Sequence, residues 1–332
     1  MARRILLRAL LGAAVVAAVA GGLAWLNPRP AEYPVRAGLL AGGIPFIQGG
    51  AGPKHAVVFF GGNALLKPLH RSSDPGRYAR QVGALLPEGY RFTILGYRED
   101  PPEGHGLDAI VRDFADVMRR EIGRPDLVMG ISFGGFVAQR FAAEHPDLVD
   151  QLVLLISGHR FSAAGRERMD RQFAFLEAGD VRGLVGDNAL LFRRPWYNWL
   201  VSLKLWIEGG RVASEATDPA VMLRSYRTLF GEDLGRNRDF TGRIAAPTLV
   251  VGGTADQFFD VHTFQETADL LRDGHLVLFT DETHMLPIER SRDVADAIAG
   301  FLRETGPRNR GGTPVPALLE AGAPRPLRGM RP

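Results

Sequence analysis

Residues 126–136 constrain the fold of this chain more than any other stretch. Leu127–Ile131 is a short apolar run that predicts a buried strand, and Phe133–Glu144 has the composition of a helix. Between them, Gly130-Ile131-Ser132-Phe133-Gly134 matches the pattern G-x-S-x-G. Its glycines let the strand and the helix approach closely around a sharp turn. Ser132 is therefore expected to project its hydroxyl beyond the sheet, although a serine there could also act only as a helix cap.

Predicted strands alternate with predicted helices on both sides of this stretch. The strands are expected at residues 55–60, 90–95, 127–131, 151–156, 247–252 and 275–279. The helices are expected at residues 78–86, 108–122, 133–144, 261–272 and 291–302. Such alternation favours an α/β fold, a mostly parallel central sheet with helices on both faces. Residues 33–48 are expected to add one or two edge strands.

One long segment interrupts the alternation. Residues 157–243 show no convincing strand and contain helical pieces at 166–176, 196–208 and 219–230. We interpret this segment as a helical insertion within a single α/β domain spanning residues 33–302.

Both ends of the chain differ from this domain. Residues 1–26 carry three early arginines and then 18 consecutive uncharged residues, which predicts a signal peptide or an N-terminal membrane anchor. Cleavage is expected near Ala20, after Ala18-Val19-Ala20; otherwise residues 5–26 anchor the chain, and the domain lies outside the cytoplasm in both cases. Residues 306–332 are rich in Gly, Pro and Arg and are expected to be disordered.

Charge and residue types exclude several classes of function. The formal net charge of +3 comes from the two ends, which leaves a mildly acidic body without a nucleic-acid-binding cluster. The chain has no cysteine, and no HExxH or EF-hand pattern is present. No metal site, cofactor or nucleic-acid partner is expected. Membrane contact is expected only through an uncleaved N-terminal segment, and the sequence does not fix the oligomeric state.

Two later loops can supply partners for Ser132. A serine hydroxyl needs a base to become a nucleophile, and that base needs an acid to fix its tautomer. Asp256 follows the predicted strand at 247–252, and His284 follows the strand at 275–279. Asp260 and Glu282 are the alternatives to Asp256.

The other seven histidines are expected to be structural, solvated or on the surface. Residues beside strand or helix ends are expected to be structural or solvated: His55, His145 and His275. One lies within a predicted helix, His262. Three are expected on surface loops: His70, His105 and His159.

The order Ser132, Asp256, His284 resembles the α/β-hydrolase family over about residues 33–302. Gly253-Thr254-Ala255-Asp256 matches the family's acid loop, and Thr283-His284-Met285 matches the late histidine before the final helix. The resemblance implies that residues 157–243 form a helical lid. It also implies an oxyanion hole.

In that family, one oxyanion donor is the amide after the nucleophile, here Phe133. The other comes from the loop after the third strand, here Gly62 or Asn63. The chain has Phe60-Gly61-Gly62 where the family commonly has His-Gly, which leaves the choice between these two donors open.

The resemblance implies a serine hydrolase that acts on carboxylic esters or related acyl compounds through an acyl-enzyme. Phe258, Phe259, Trp196 and Trp199 are candidate pocket residues, with packing of the lid on the core as the alternative role. A peptidase, lactonase, perhydrolase or acyltransferase would use the same three side chains. A non-catalytic, membrane-tethered binding protein with this fold is the alternative from a different class.

Overall fold

A computed structural model describes residues 32–231 and 237–306. The strands are β1 (Arg36–Leu40), β2 (Ile44–Gly50), β3 (Lys54–Phe59), β4 (Tyr90–Leu95), β5 (Leu127–Ile131), β6 (Leu152–Leu155), β7 (Thr248–Gly253) and β8 (Gly274–Phe279). The helices are α1 (Asn63–Leu66), α2 (Pro75–Gly83), α3 (Leu107–Val117), α4 (Phe133–Glu144), α5 (Ala163–Glu177), α6 (Val181–Ala189), α7 (Pro195–Glu215), α8 (Pro219–Gly231), α9 (Asn237–Thr241), α10 (Val261–Leu270), α11 (Leu286–Glu289) and α12 (Ser291–Glu304).

The eight strands form one sheet in the order β1-β2-β4-β3-β5-β6-β7-β8. β2 pairs antiparallel with both β1 and β4, and every other pair is parallel. The carboxyl ends of β5, β7 and β8 therefore meet at one edge of the sheet. This confirms the predicted α/β fold with a mostly parallel sheet.

The central strands are buried on both faces because helices cover the sheet on each side. All residues of β5, β6 and β7 are buried. On β3, the ring of Phe59 packs against Phe114 of α3 and Phe141 of α4, with centroid distances of 4.7 and 5.1 Å. These aromatic contacts fix α3 and α4 on one face of β3 and β5.

Five helices, α5 to α9, lie between β6 and β7 in the part of the chain that the structure describes. The end of this segment is tied to the core through the buried side chain of Arg140 on α4. Its Nε donates to Oδ1 of Asn237 at 2.9 Å, and Nη1 pairs with Asp108 at 2.6 Å. The Oγ1 of Thr241 also donates to Oε1 of Gln139 at 2.6 Å. α9 is therefore joined to α4 by buried polar contacts.

The predicted N-terminal targeting segment, residues 1–26, lies outside the described residues, as does residue 307 onward of the predicted disordered tail. Within residues 32–231 and 237–306, none of the helices combines the length and the apolar character needed to span a bilayer.

Candidate active site

Ser132 occupies a strained turn between β5 and α4. Its φ of 54° and ψ of −120° lie in a region that residues with a side chain rarely adopt. The turn is possible because its neighbours have no Cβ: one at Gly130 would lie 2.6 Å from both the carbonyl oxygen of Gly134 and the Cα of Gly135. A Cβ at Gly134 would overlap the carbonyl oxygen of Phe59. The glycines thus hold the serine at the start of the helix.

The structure brings Ser132, His284 and Asp256 together. The Ser132 Oγ lies 2.9 Å from Nε2 of His284, and Nδ1 of the same ring lies 2.8 and 3.1 Å from the two carboxylate oxygens of Asp256. A carboxylate only accepts hydrogen bonds, so Nδ1 carries the proton of the neutral ring and Nε2 is left to accept from the hydroxyl. This tautomer is the one in which the imidazole can remove the serine proton.

Backbone contacts hold the carboxylate of Asp256 in place. Its Oδ1 accepts hydrogen bonds from the amides of Phe258 at 2.8 Å and Phe259 at 3.1 Å. The rings of the same two residues pack against the imidazole of His284, with centroids 4.6 and 6.0 Å away. The loop after β7 therefore orients both the acid and the base.

The two loops that carry the acid and the histidine are also bonded to each other. The amide of Ala255 donates to the carbonyl of Glu282 at 2.9 Å, and the amide of Asp281 donates to Oγ1 of Thr254 at 2.8 Å. The amide of His284 donates to Oε1 of Gln257 at 3.1 Å. Asp281 has a φ of 57°, so the backbone turns sharply just before the histidine.

The two alternative acids have other contacts. Asp260 caps α10, where its Oδ1 accepts from the amide and hydroxyl of Thr263 at 2.8 and 2.6 Å. Glu282 is buried and pairs with Arg193 at 2.8 Å and Arg290 at 3.1 Å. Asp256 is the acid that contacts the imidazole.

The expectation of surface positions was wrong for two of the loop histidines. His159 is buried and lies 3.0 Å from Oγ1 of Thr267. Burial lowers the pKa of His159 to about 4, and the nearby positive charge of Arg160 contributes to this effect. His105 is mostly buried beside Asp113, with Nε2 3.1 Å from the carboxylate. Both loops pack against helices, which periodicity alone does not indicate.

The predicted oxyanion donors lie close to Ser132. Phe133 is the first residue of α4, where an amide has no partner within the helix. A Cβ at Gly62 would lie 3.7 Å from the Cβ of Phe133, so the two backbones face each other. Asn63 begins α1.

A cavity of about 440 Å³ opens above Ser132 and His284. Most of its wall is apolar and comes from three places: the loop after β3, α2 with the residues just after it, and the segment between β6 and β7. Apolar residues from those places include Phe60, Tyr78, Val82, Leu85, Phe161, Met169, Val181, Leu184, Leu205, Tyr226 and Phe230. Polar side chains at its wall include Lys67, Gln81, Gln172 and Asn188.

Of the four predicted pocket residues, one lines the cavity and three do not. Phe258 lines this cavity, whereas Phe259 is fully buried behind it in contact with Phe136 and Phe161. The prediction that Trp196 and Trp199 line the pocket was wrong. Both side chains are half-exposed on the outer side of α7 and do not line the cavity. The helix presents Leu205 to the cavity instead. An aromatic cluster in a sequence does not show which side of its helix faces inward.

Sequence reasoning also missed the contribution of α2. Tyr78, Gln81 and Val82 of this helix line the cavity, and Leu85 lines it just beyond the end of the helix. The periodicity of residues 78–86 predicted a helix, but none of its residues was assigned to the pocket. No cluster of metal-ligating side chains occurs within the described ranges.

Residues 57–297 match the model of the alpha/beta hydrolase family, which covers more than half of the chain. The chain belongs to this family. The sequence-based recognition of an α/β hydrolase is therefore confirmed, and hydrolase activity in general is supported.

Individual members of the family resemble the chain at low identity. BpoC of Mycobacterium tuberculosis, named for a non-heme bromoperoxidase, is 26% identical over 246 residues, 68% of this chain and 87% of that protein. Its crystal structure covers 83% of this chain and 97% of its own, with a TM-score of 0.60 at 22% identity. A pimeloyl-[acyl-carrier protein] methyl ester esterase of Chromobacterium violaceum is 26% identical over 212 residues, 60% of this chain and 80% of the esterase.

A third relative is a solved structure described as a bacterial membrane phospholipase A. It covers 91% of this chain and 99% of its own, with a TM-score of 0.58 at 19% identity. Similarities to solved structures at such identities establish the fold alone.

Proposed function

We propose that this α/β hydrolase is a serine hydrolase that cleaves carboxylic esters with an apolar acyl or alcohol group through an acyl-enzyme. One observation carries the proposal. Ser132 Oγ contacts His284 at 2.9 Å, His284 contacts Asp256 at 2.8 Å, and Ser132 and His284 line an apolar cavity. Side chains in this arrangement activate a serine for attack on an acyl carbon.

The proposed reaction has two halves. His284 Nε2 accepts the Ser132 proton as Oγ attacks the ester carbonyl, and Asp256 stabilises the imidazolium that forms. The amide of Phe133, with that of Gly62 or Asn63, stabilises the oxyanion. Collapse of the tetrahedral intermediate transfers the proton to the leaving alcohol. Water, deprotonated by His284, then releases the acid and restores the serine.

The shape and lining of the cavity support an apolar substrate. A volume of about 440 Å³ lies within the range of sites that enclose a small organic molecule, roughly 300–1,000 Å³. Burial of methylene groups against this wall would contribute to binding in proportion to their number, about 0.8 kcal/mol each. The name of the methyl ester esterase relative also favours an ester. We propose that the helices α5 to α8 act as the lid of this cavity, since their side chains close it.

A fluorophosphonate probe tests the nucleophile. We expect labelling of the wild-type chain and none of Ser132→Ala. Ser157→Ala is the matched control, because Ser157 is a buried serine just beyond β6, and it should label normally. Labelling that persists in Ser132→Ala would remove the proposed nucleophile, and a wild-type chain that does not label would favour a non-catalytic binding protein.

A substrate panel tests the reaction class. Esters of increasing acyl length should show kcat/KM rising with length until the cavity is full, and matched amides and lactones should be slower. Faster turnover of an amide or a lactone would replace the ester proposal with a peptidase or a lactonase on the same three side chains.

We further propose that the protein is exported, because residues 1–26 have the charge and apolar length of a targeting segment. N-terminal sequencing of exported material is expected to begin at Gly21 if the segment is a signal peptide, and at residue 1 or 2 if it is an anchor. Recovery only from the cytoplasm would refute export.

A further inference from the structure

Part of the wall that the segment between β6 and β7 contributes to the cavity is polar. α5 contributes Met169 and Gln172. α6 contributes, among others, Leu184, Val185 and Asn188. Each set is spaced as one side of a helix, so Gln172 and Asn188 stand where an apolar residue would continue the lining. Gln172 is only 3% exposed, and a buried amide needs a partner for each of its polar atoms.

Contacts behind this wall determine how the two side-chain amides are oriented. The Nε2 of Gln172 lies 3.2 Å from Oδ2 of Asp187 and 3.2 Å from Oδ1 of Asn188. Because a carboxylate only accepts hydrogen bonds, Gln172 must turn its NH₂ group towards Asp187. Asn188 accepts through Oδ1 and donates from Nδ2 to the carbonyl of Leu184 at 3.1 Å. Neither amide can be flipped without the loss of a hydrogen bond.

An ion pair holds the carboxylate of Asp187. The Nη2 of Arg168 lies 2.9 Å from Oδ2 of Asp187 and also donates to the backbone carbonyl of Asp187 at 2.5 Å. Both side chains are mostly buried. The guanidinium of Arg168 lies 5.5 Å from the ring centroid of Phe258, and that ring packs against the imidazole of His284. The two amides are therefore held by a packed set of side chains that reaches the proposed catalytic base.

These contacts use only part of the hydrogen-bonding capacity of the two amides. A side-chain amide has two N–H donors and one carbonyl oxygen. Both N–H groups of Gln172 are used, and no donor within residues 32–231 and 237–306 reaches its Oε1. One N–H of Asn188 is used on Leu184, and the other has no acceptor in the same ranges. The pair therefore leaves one acceptor and one donor at the cavity wall.

A hydroxyl group complements this pair, because it donates one hydrogen bond and accepts others. A keto oxygen only accepts, so it would use the N–H of Asn188 and leave Oε1 of Gln172 unpaired. A methylene that displaced water from the wall would leave both unpaired, which weakens binding. Sites for small molecules commonly combine an apolar wall with a few polar groups that fix orientation and give specificity.

We propose that Gln172 and Asn188 form a hydroxyl subsite, so that the preferred substrate is an ester with an apolar chain that carries a hydroxyl group away from the ester bond. Oε1 of Gln172 accepts from this hydroxyl, and Nδ2 of Asn188 donates to it. The inference rests on the proposed ester hydrolysis for the reacting group, and it adds two specificity-determining residues to that reaction.

Binding to Ser132→Ala tests the hydroxyl subsite without requiring catalysis. The ligands are methyl esters of straight-chain alkanoic acids, each compared with hydroxy and oxo derivatives of the same length in which the substituent is moved along the chain. Isothermal titration calorimetry gives the Kd values. At the best position, we expect the hydroxy ester to bind about tenfold more tightly than the unsubstituted ester, with the oxo ester between them.

Substitutions of similar volume assign this preference to the two amides. Gln172→Met removes the acceptor, and Asn188→Leu removes the donor. Each should bring the two esters to about equal affinity. The double variant should favour the unsubstituted ester by about tenfold, since a buried hydroxyl without a partner is costly. Should Gln172→Met fail to fold, Asn188→Leu carries the test, because it keeps the bond from Gln172 to Asp187.

Gln81→Leu is the matched comparison. Gln81 also lines the cavity, but it belongs to α2 and lies outside the network around Asp187. We expect this variant to keep the preference for the hydroxy ester. Thermal unfolding of all variants verifies that they remain folded.

Several results would overturn the proposal. Equal affinity for hydroxy and unsubstituted esters at every position would show that the amides only join α5 to α6. A preference that survives in the double variant, or that is lost in Gln81→Leu, would place the hydroxyl elsewhere in the cavity. Tighter binding of the oxo ester would remove the role of Gln172 as acceptor. A Ser132→Ala chain that binds none of these esters would also contradict the proposal.

Hydrolysis by the wild-type chain separates this inference from the proposed function. The order of kcat/KM should follow the order of binding, with the hydroxy ester about tenfold above the unsubstituted one. Hydrolysis without this preference would refute the hydroxyl subsite alone. A wild-type chain that hydrolyses no ester, although Ser132→Ala binds the hydroxy ester with the expected preference, would refute the proposed hydrolysis and leave the hydroxyl subsite in place.

Discussion

Replacement of Asp256 by asparagine isolates the electrostatic role of this carboxylate from its structural one. The side chain of Asp256 is buried and contacts three N–H donors: the amides of Phe258 and Phe259 through Oδ1, and Nδ1 of His284 through both oxygens. An asparagine can keep its carbonyl oxygen towards the two amides. Its NH₂ group then faces Nδ1 of His284.

This exchange reverses the roles of the two ring nitrogens. An amide NH₂ is a donor, so Nδ1 must become an acceptor and the proton moves to Nε2. Nε2 then donates towards Ser132 and can no longer remove its proton, and the imidazolium loses its stabilising charge. In serine hydrolases, loss of this interaction lowers kcat by about 10³–10⁴, which corresponds to about 4–5.5 kcal/mol of transition-state stabilisation.

Stability should respond much less than activity. The loop amides keep their acceptor in Asp256→Asn, whereas Asp256→Ala leaves them unpaired, at a cost of about 1–3 kcal/mol for each buried group. We therefore expect a nearly normal unfolding midpoint for the asparagine variant and a lower one for the alanine variant. Ester hydrolysis and denaturant unfolding on the same preparations measure the two effects.

Asp260→Asn is the matched control, because Asp260 is four residues away and caps α10. Asparagine is an equally good helix cap, so activity and stability should both stay within about 0.5 kcal/mol of the wild type. The reasoning is refuted if Asp256→Asn retains more than about a tenth of the wild-type kcat/KM, or if Asp260→Asn is the variant that loses activity.

Two further predictions concern stability. Gly130→Ala should destabilise the fold by about 3 kcal/mol or more, because its Cβ would lie 2.6 Å from backbone atoms. Gly186→Ala, on α6 with open space around it, should stabilise the fold by up to about 1 kcal/mol. Urea unfolding measures both changes. Burial, together with a nearby arginine, lowers the pKa of both His55 and His159 from 6.5 to about 4. Between these two pH values the unfolded chain binds more protons than the folded chain. The free energy of unfolding should therefore fall as the pH drops from about 6.5 to about 4, and it should be constant above about pH 6.5. His55→Gln with His159→Asn should flatten this slope, and an unchanged slope would contradict the assignment.

The sequence predicted the central sheet well because its strands carry their own signal. β4, β5 and α4 have the predicted bounds, since apolar runs between turn residues mark strands buried on both faces. The edge strands β1 and β2 were also expected within residues 33–48. The order of Ser132, Asp256 and His284 suggested the meeting of three loops because parallel strands end at one edge.

Features that depend on packing were not predictable in this way. The short helices α6, α9 and α11 were missed, because their positions are set by contacts with other elements more than by periodicity. α9, for example, is held by Asn237 and Thr241 against α4. The outward orientation of Trp196 and Trp199 was missed for a related reason: both sides of α7 are apolar, so hydrophobicity does not indicate which side faces the cavity.

The separate origins of the reactive groups and of the cavity wall have a consequence for how this protein can change. Ser132, Asp256 and His284 belong to turns of the sheet, whereas much of the surface that would touch a substrate belongs to one contiguous insertion between β6 and β7. Residues of that insertion that only line the cavity, such as Val181 and Leu184, can change without touching Ser132, Asp256 or His284. We therefore expect substrate preference to change through substitutions of these lining residues, with the proposed catalytic side chains kept in place.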